Sequence, residues 1–207
     1  MSIRAIFLTL FFLFPLHSAA FAETLRVVAL GDSLTAGYGL QAGEDYASQL
    51  EQALISKGLD VKINNAGVSG DTSAGGLSRL EWSVSGEPKP SLVIVALGAN
   101  DMLRAVDPAT TETNLRSILE KLKVKGIPAI LYGMKAPINM PPSYRKSFDN
   151  LYPKLAEEFD VSLYPFFLEG VAMNAKLNLQ DGVHPTKEGI AIMVEKTLPL
   201  IEKQLKK

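Results

Sequence analysis

The stretch Leu25-Arg26-Val27-Val28-Ala29-Leu30-Gly31-Asp32-Ser33-Leu34 decides how the rest of the chain is read. A mostly apolar run leads straight into Gly-Asp-Ser, and Thr35-Ala36-Gly37-Tyr38-Gly39 follows. A short apolar run bounded by turn residues reads as a buried strand. A strand that ends in Gly-Asp-Ser and turns sharply leaves a serine at the carboxyl edge of a sheet. In open α/β sheets that edge is where ligands bind.

Similar runs recur downstream. Val61–Asn65, Ser91–Leu97, Ile127–Tyr132 and Val161–Tyr164 are short, rich in Val, Ile and Leu, and show little alternation. That pattern belongs to strands covered on both faces. Helical periodicity fills the gaps between them. Tyr46, Leu50, Ala53 and Leu54 form one stripe, with Gly58 as a stop. Asp71-Thr72-Ser73 is an N-cap cluster ahead of Leu77, Leu80 and Val84, although Gly75 and Gly76 weaken the start of that helix. Asp107-Pro108 opens a helix with the stripe Leu115, Ile118, Leu119 and Leu122, which Gly126 ends. Pro141-Pro142-Ser143 precedes Phe148, Leu151, Tyr152, Leu155 and Phe159. Pro185-Thr186 opens a last helix with Ile190, Met193, Thr197 and Ile201, which Pro199 is expected to kink or interrupt. Strands alternating with helices imply a parallel sheet with helices on both faces and right-handed crossovers. The expected fold is a three-layer α/β/α sandwich, flavodoxin-like, with five parallel strands in the order 2-1-3-4-5.

The chain has 207 residues, enough for one domain with a proper core. Its first 22 residues are set apart: Arg4 is a positive n-region, Ala5–Leu16 an apolar h-region, and Ala20-Phe21-Ala22 a small-x-small cleavage signal. The apolar run is short for a span that needs ~20 residues. The expectation is therefore a cleaved signal peptide over residues 1–22, a single domain over 23–207, and a periplasmic or secreted product. Without its leader the chain carries 20 Lys+Arg against 22 Asp+Glu, a net charge of −2. It has no long basic run to meet nucleic acid. It has no cysteine, which excludes thiol nucleophiles, disulfides and thiolate metal sites. His17 leaves with the leader, so His184 is the one imidazole of the mature chain, and a multi-histidine metal site is excluded. No metal and no cofactor are expected.

Four clusters follow strand ends and share one sheet edge if the sheet is parallel. They are Ser33, Ser69-Gly70-Asp71, Gly98-Ala99-Asn100-Asp101 and Asp181-Gly182-Val183-His184-Pro185. A serine hydroxyl is a weak nucleophile and needs an adjacent base. His184 is the available base, and Asp181, three residues earlier, is placed to hold its other ring nitrogen. The same pattern also describes a turn with a helix-capping Asp, and spacing alone does not choose between the two. Acyl transfer further needs donors for an oxyanion. Gly70 has no side chain to keep a ligand from its N–H. Asn100 offers a neutral NH₂, and the Ser33 N–H is a third donor. Asp32 is expected to be a structural hydrogen-bonding acid, and Asp71 and Asp101 to be caps.

In order and spacing these four blocks resemble those of the SGNH (GDSL) hydrolase family, over essentially the whole mature chain. Within it, Gly-Asp-Ser-Leu-Thr-Ala-Gly-Tyr and Tyr152–Val161 resemble the exported bacterial thioesterase I/lysophospholipase/arylesterase subgroup. One departure is Gly98-Ala99-Asn100-Asp101, where the subgroup often has Gly-Gly-Asn-Asp. The resemblance implies Ser33 as nucleophile, His184 as base and Asp181 as its orienter, with Ser33, Gly70 and Asn100 forming the oxyanion hole. It implies hydrolysis of carboxylic esters and thioesters, including arylesters, acyl-CoA and lysophospholipids. The same blocks also serve carbohydrate acetyl esterases, and a non-catalytic binding protein on this scaffold stays open. The expected partner is a small-molecule acyl ester or thioester, and the chain is taken as a monomer. The loops Met134–Pro142 and Gly76–Leu80 are expected on the same edge, where the former would wall an acyl chain with adaptable methionines.

Overall fold

The structure, a computed structural model, describes residues 24–206. The leader expected at residues 1–22 lies outside the described residues. The elements run β1 (Leu25–Gly31), α1 (Ser33–Ala36), α2 (Tyr46–Ser56), β2 (Val61–Gly67), α3 (Ser73–Ser83), β3 (Leu92–Ala96), α4 (Ala99–Leu103), α5 (Pro108–Val124), β4 (Ala129–Tyr132), α6 (Pro142–Phe159), β5 (Ser162–Tyr164) and α7 (Lys187–Leu205). The strands form one parallel sheet in the order β2-β1-β3-β4-β5. Helices α2 and α7 pack together on one face, and α3, α5 and α6 pack in succession on the other. This is the α/β/α sandwich that the alternation of elements implies.

The central strands β1, β3 and β4 are buried almost throughout, as their unbroken apolar runs require. Strand β2 differs. It alternates buried and exposed positions, because it is an edge strand with only one face fully covered. Pro199 does not interrupt α7, which continues to Leu205. Pro153 likewise lies inside α6. In both helices a stripe of buried side chains, Phe148 to Leu155 and Ile190 to Ile201, holds the helix across the proline. Packing here outweighs the ~3 kcal/mol that an internal proline costs.

The register positions the site. Gly31 at the end of β1 pairs with Gly67 of β2 and with Ala96 of β3. Three strands thus end flush, and the chain leaving each one emerges side by side. Arg79 of α3 ties two of these ends together. Its guanidinium donates to the carbonyls of Gly31 (2.8 Å) and Ala66 (2.7 Å), and its Nε to the Asp71 carboxylate (2.6 Å). Asp71 is therefore the partner of Arg79, and Thr72 is the cap of α3, accepting from the Gly75 N–H. The weak start of α3 has a packing reason. A Cβ at Gly76 would lie 2.2 Å from a Leu97 methyl.

Candidate active site

Ser33 is the first residue of α1, and its position follows from the residues around it. Asp32 follows the strand and caps the helix, its Oδ1 accepting the Leu34 N–H at 3.0 Å. Gly37, at φ 80°, closes the helix after a single turn. A short turn of helix directly after β1 holds the Ser33 hydroxyl above the sheet edge.

His184 reaches this hydroxyl from the far end of the chain. Its Nε2 lies 2.9 Å from Ser33 Oγ, and its Nδ1 lies 2.7 Å from Asp181 Oδ2. A carboxylate only accepts, so the ring proton sits on Nδ1 and the bare Nε2 accepts from the serine O–H. Asp181 makes both the ring contact and the turn that Asp-Gly-Val-His offered, but not the helix cap. Oδ2 of Asp181 holds the ring, while Oδ1 accepts the N–H groups of Val183 (2.9 Å) and His184 (3.0 Å) in a turn. The carboxylate does not cap α7, a task that falls to Thr186. The His184 N–H, the imidazole and the Val183 N–H together hold the Asp181 carboxyl down at about 2, from an ordinary 3.8. The loop itself is pinned at its base, where the Leu179 N–H donates to the His184 carbonyl at 2.7 Å and Asn178 bridges to Pro185.

Asn100 lies in the first turn of α4, a helix that the sequence did not announce. Gly98 starts it at φ 111°, and a Cβ there would lie 2.2 Å from the Tyr152 hydroxyl, so the position admits only glycine. Asn100 lines the same cavity as Ser33 and His184. Gly70, at φ 83°, follows β2. It does not line that cavity, but it is bound to the helix that carries Asn100, because Arg104 donates to its carbonyl at 2.8 Å. Asp101 is not a cap of its own helix. It is buried, and its carboxylate accepts from the N–H and hydroxyl of Ser73 and from the Thr111 hydroxyl, tying α4 to the starts of α3 and α5.

The cavity beside Ser33 holds about 410 Å³. Met134–Pro137 forms part of its wall, whereas Ile138–Pro142 and Gly76–Leu80 do not contribute. Gly76–Leu80 lies within α3 rather than in a loop. The remaining wall includes Met102 and Leu103 of α4, with Phe166, Leu168, Ala172 and Met173 from the segment after β5. That last segment was not anticipated, and neither was Tyr38, whose ring lies 4.4 Å from the His184 ring. Tyr38 is legible only as part of the first block, and the segment after β5 carries no motif. Among the described residues no group of three or more His, Asp or Glu side chains is arranged to hold a metal.

Known proteins resemble this chain in sequence and in fold. Residues 29–192 match the GDSL-like lipase/acylhydrolase family. The chain is 38% identical to the esterase TesA of Pseudomonas aeruginosa, over 90% of this chain and 92% of that protein. It is 40% identical to the thioesterase 1/protease 1/lysophospholipase L1 of Escherichia coli K12, over 86% and 83% of the two chains. Among solved structures it resembles AlinE4, an SGNH-hydrolase family esterase, with a TM-score of 0.76 and 48% identity over 89% of this chain and 98% of the other. On the strength of the family match and of these relatives, the chain belongs to the GDSL-like lipase/acylhydrolase family.

Proposed function

We propose that the protein is a serine esterase that hydrolyses carboxylic esters and thioesters of medium-length acyl groups. The observation that carries this reading is the unbroken relay Asp181–His184–Ser33, with contacts of 2.7 and 2.9 Å. His184 Nε2 takes the Ser33 proton as Oγ attacks the acyl carbonyl. The tetrahedral oxyanion is assigned to the Ser33 N–H and the Asn100 NH₂, which share the cavity, and to the Gly70 N–H on the family resemblance alone. Asp181 fixes the ring tautomer and stabilises the imidazolium. His184 then protonates the leaving alcohol or thiol. Water, deprotonated by the same nitrogen, attacks the acyl-enzyme, and the collapse of the second tetrahedral intermediate returns the proton to Ser33.

The relatives named above as esterase and as thioesterase/lysophospholipase support esters, thioesters and lysophospholipids as the substrate panel, with arylesters and acyl-CoA added from the family resemblance. A carbohydrate acetyl ester fits the chemistry equally, but an acetyl group would leave most of a 410 Å³ apolar-walled cavity empty. The pattern of residues 1–22 supports a cleaved leader and export to the periplasm or beyond, and the protein is taken to act as a monomer on small-molecule substrates. Among the described residues no helix is long and apolar enough to cross a membrane.

Two measurements test this reading. Ser33→Ala should abolish turnover of p-nitrophenyl esters while leaving the thermal midpoint in place, and an alkylphosphonate should label wild type stoichiometrically at Ser33. Substantial turnover by Ser33→Ala would sink the mechanism. Across p-nitrophenyl esters kcat/KM should rise from acetyl upward, by up to ~4-fold per buried methylene at ~0.8 kcal/mol each. Highest activity on acetyl esters would favour the carbohydrate reading instead.

A further inference from the structure

The proposed reaction leaves Asp32 without a task, yet its placement is costly. The side chain is 1% exposed, and a carboxylate taken out of water is stable only when its oxygens are partnered. Oδ1 accepts the Leu34 N–H at 3.0 Å and Oδ2 accepts from Asn100 Nδ2 at 3.3 Å. His184, on the loop before α7, is the titratable group whose charge acts on it, and the Asp32 charge acts in turn on the Tyr152 phenol of α6. Tyr132 of β4 lines the small gap beside it. Capping does not explain the charge, because an uncharged Asn caps a helix as well as Asp does.

We propose that Asp32 is a positioning residue that sets which end of the Asn100 carboxamide faces the nucleophile. The inference rests on the serine-esterase reading above. A carboxamide has two ends of nearly the same shape, a donor NH₂ and an acceptor oxygen. The Asp32 carboxylate accepts only, so it draws the NH₂ end toward itself. One N–H of that nitrogen is then occupied, and the other is left for the oxyanion that forms on the substrate. The reversed amide would set its oxygen against both the carboxylate and the oxyanion. Asp32 thereby fixes the donor before the reaction begins, which is what oxyanion stabilisation requires.

The test is Asp32→Asn, assayed on p-nitrophenyl butyrate alone and in combination with Asn100→Ala. The Asn oxygen still caps Leu34, but its NH₂ now faces Asn100 and draws the amide oxygen round. The expected result is a fall in kcat of ~10²-fold or more, with KM little changed, comparable to the loss from Asn100→Ala. In the Asn100→Ala background the same substitution should cost nothing further, since the residue it acts through is gone. The thermal midpoint should not fall below that of wild type at the assay pH, which a purely structural role would not allow. A wild-type kcat in Asp32→Asn, or losses that multiply in the double variant, would overturn the proposal. Should Asp32→Asn fail to fold, Asp32→Ser keeps a capping oxygen too short to reach Asn100. Its smaller loss in kcat should again vanish in the Asn100→Ala background, and a loss of equal size there would count against the idea. Failure of phosphonate labelling in wild type would bring down the esterase reading itself. A labelled wild type and an impaired Asn100→Ala beside a fully active Asp32→Asn would remove the positioning role alone.

Discussion

Asp32 and Asp181 stand within one site and are pushed in opposite directions. Burial raises the Asp32 carboxyl to about 6, against the opposing effects of the Leu34 N–H, His184 and Asn100. The folded state therefore holds this proton more tightly than the unfolded chain. Between the ordinary 3.8 and about 6, stability falls as pH rises, and the deficit is complete above that window. Asp181, lowered to about 2, behaves the other way. Its contribution is present above the ordinary 3.8 and is lost as pH falls toward 2, softened by solvent because its side chain is 39% exposed. Denaturant unfolding at pH 4 and pH 7 should thus show Asp32→Asn gaining on wild type by ~1–3 kcal/mol more at pH 7 than at pH 4. An equal difference at both pH values would mean that Asp32 is not held protonated by burial. The sequence named Ser33, Asp181 and His184 through the family resemblance, since spacing alone left a turn and a relay both open, and the structure brings the three side chains into contact. The contact between Asp32 and Asn100 was not legible. It joins residues 68 positions apart and exists only through the register of β1 with β3.

The elements show where local signals suffice and where they do not. Asp107-Pro108 and Asp45 cap α5 and α2, and the glycines at 58 and 126 lie just past the ends of these helices at positive φ, as their sequence patterns require. The one-turn helices α1 and α4 gave no periodic signal because they are too short to have one. They exist because a strand end and a glycine leave the chain nowhere else to go. The junction of β2 with α1 is tight for the same reason. A Cβ on Gly67 would lie 2.4 Å from the Ala36 backbone nitrogen and 2.9 Å from the Asp32 carbonyl oxygen. Backbone cannot yield as a side-chain tip can, so Gly67→Ala should destabilise the protein by ~1–3 kcal/mol or more through overpacking. It should also lower kcat, because the turn that is pushed aside carries Ser33. A Gly67→Ala variant with wild-type melting and turnover would show that β2 and α1 are free to separate.

For the molecule as a whole, the sheet order followed from the alternation of strands and helices, whereas the cavity wall did not. Phe166, Leu168 and Met173 lie in a segment without periodicity, brought to the site only by the pairing of β5 with β4. At the other end of the chain, Leu25 already pairs with Val61, and the Thr24 hydroxyl donates to Asp60 at 2.9 Å. A leader cut after Ala22 leaves that pairing whole. With the proposed leader removed, N-terminal sequencing of the mature protein should begin at Glu23, and any other start would contradict the proposed cleavage site. One further consequence comes from how the cavity and the hydrogen-bonded machinery divide the residues between them. Leu103, Met134, Phe166 and Met173 line the cavity, yet none of them lends a side chain to the bonds that hold Ser33, Asn100, Asp181 or His184. A lineage can therefore drift in what it digests without relearning how to cut. A laboratory library confined to those four wall positions would search diets, not mechanisms.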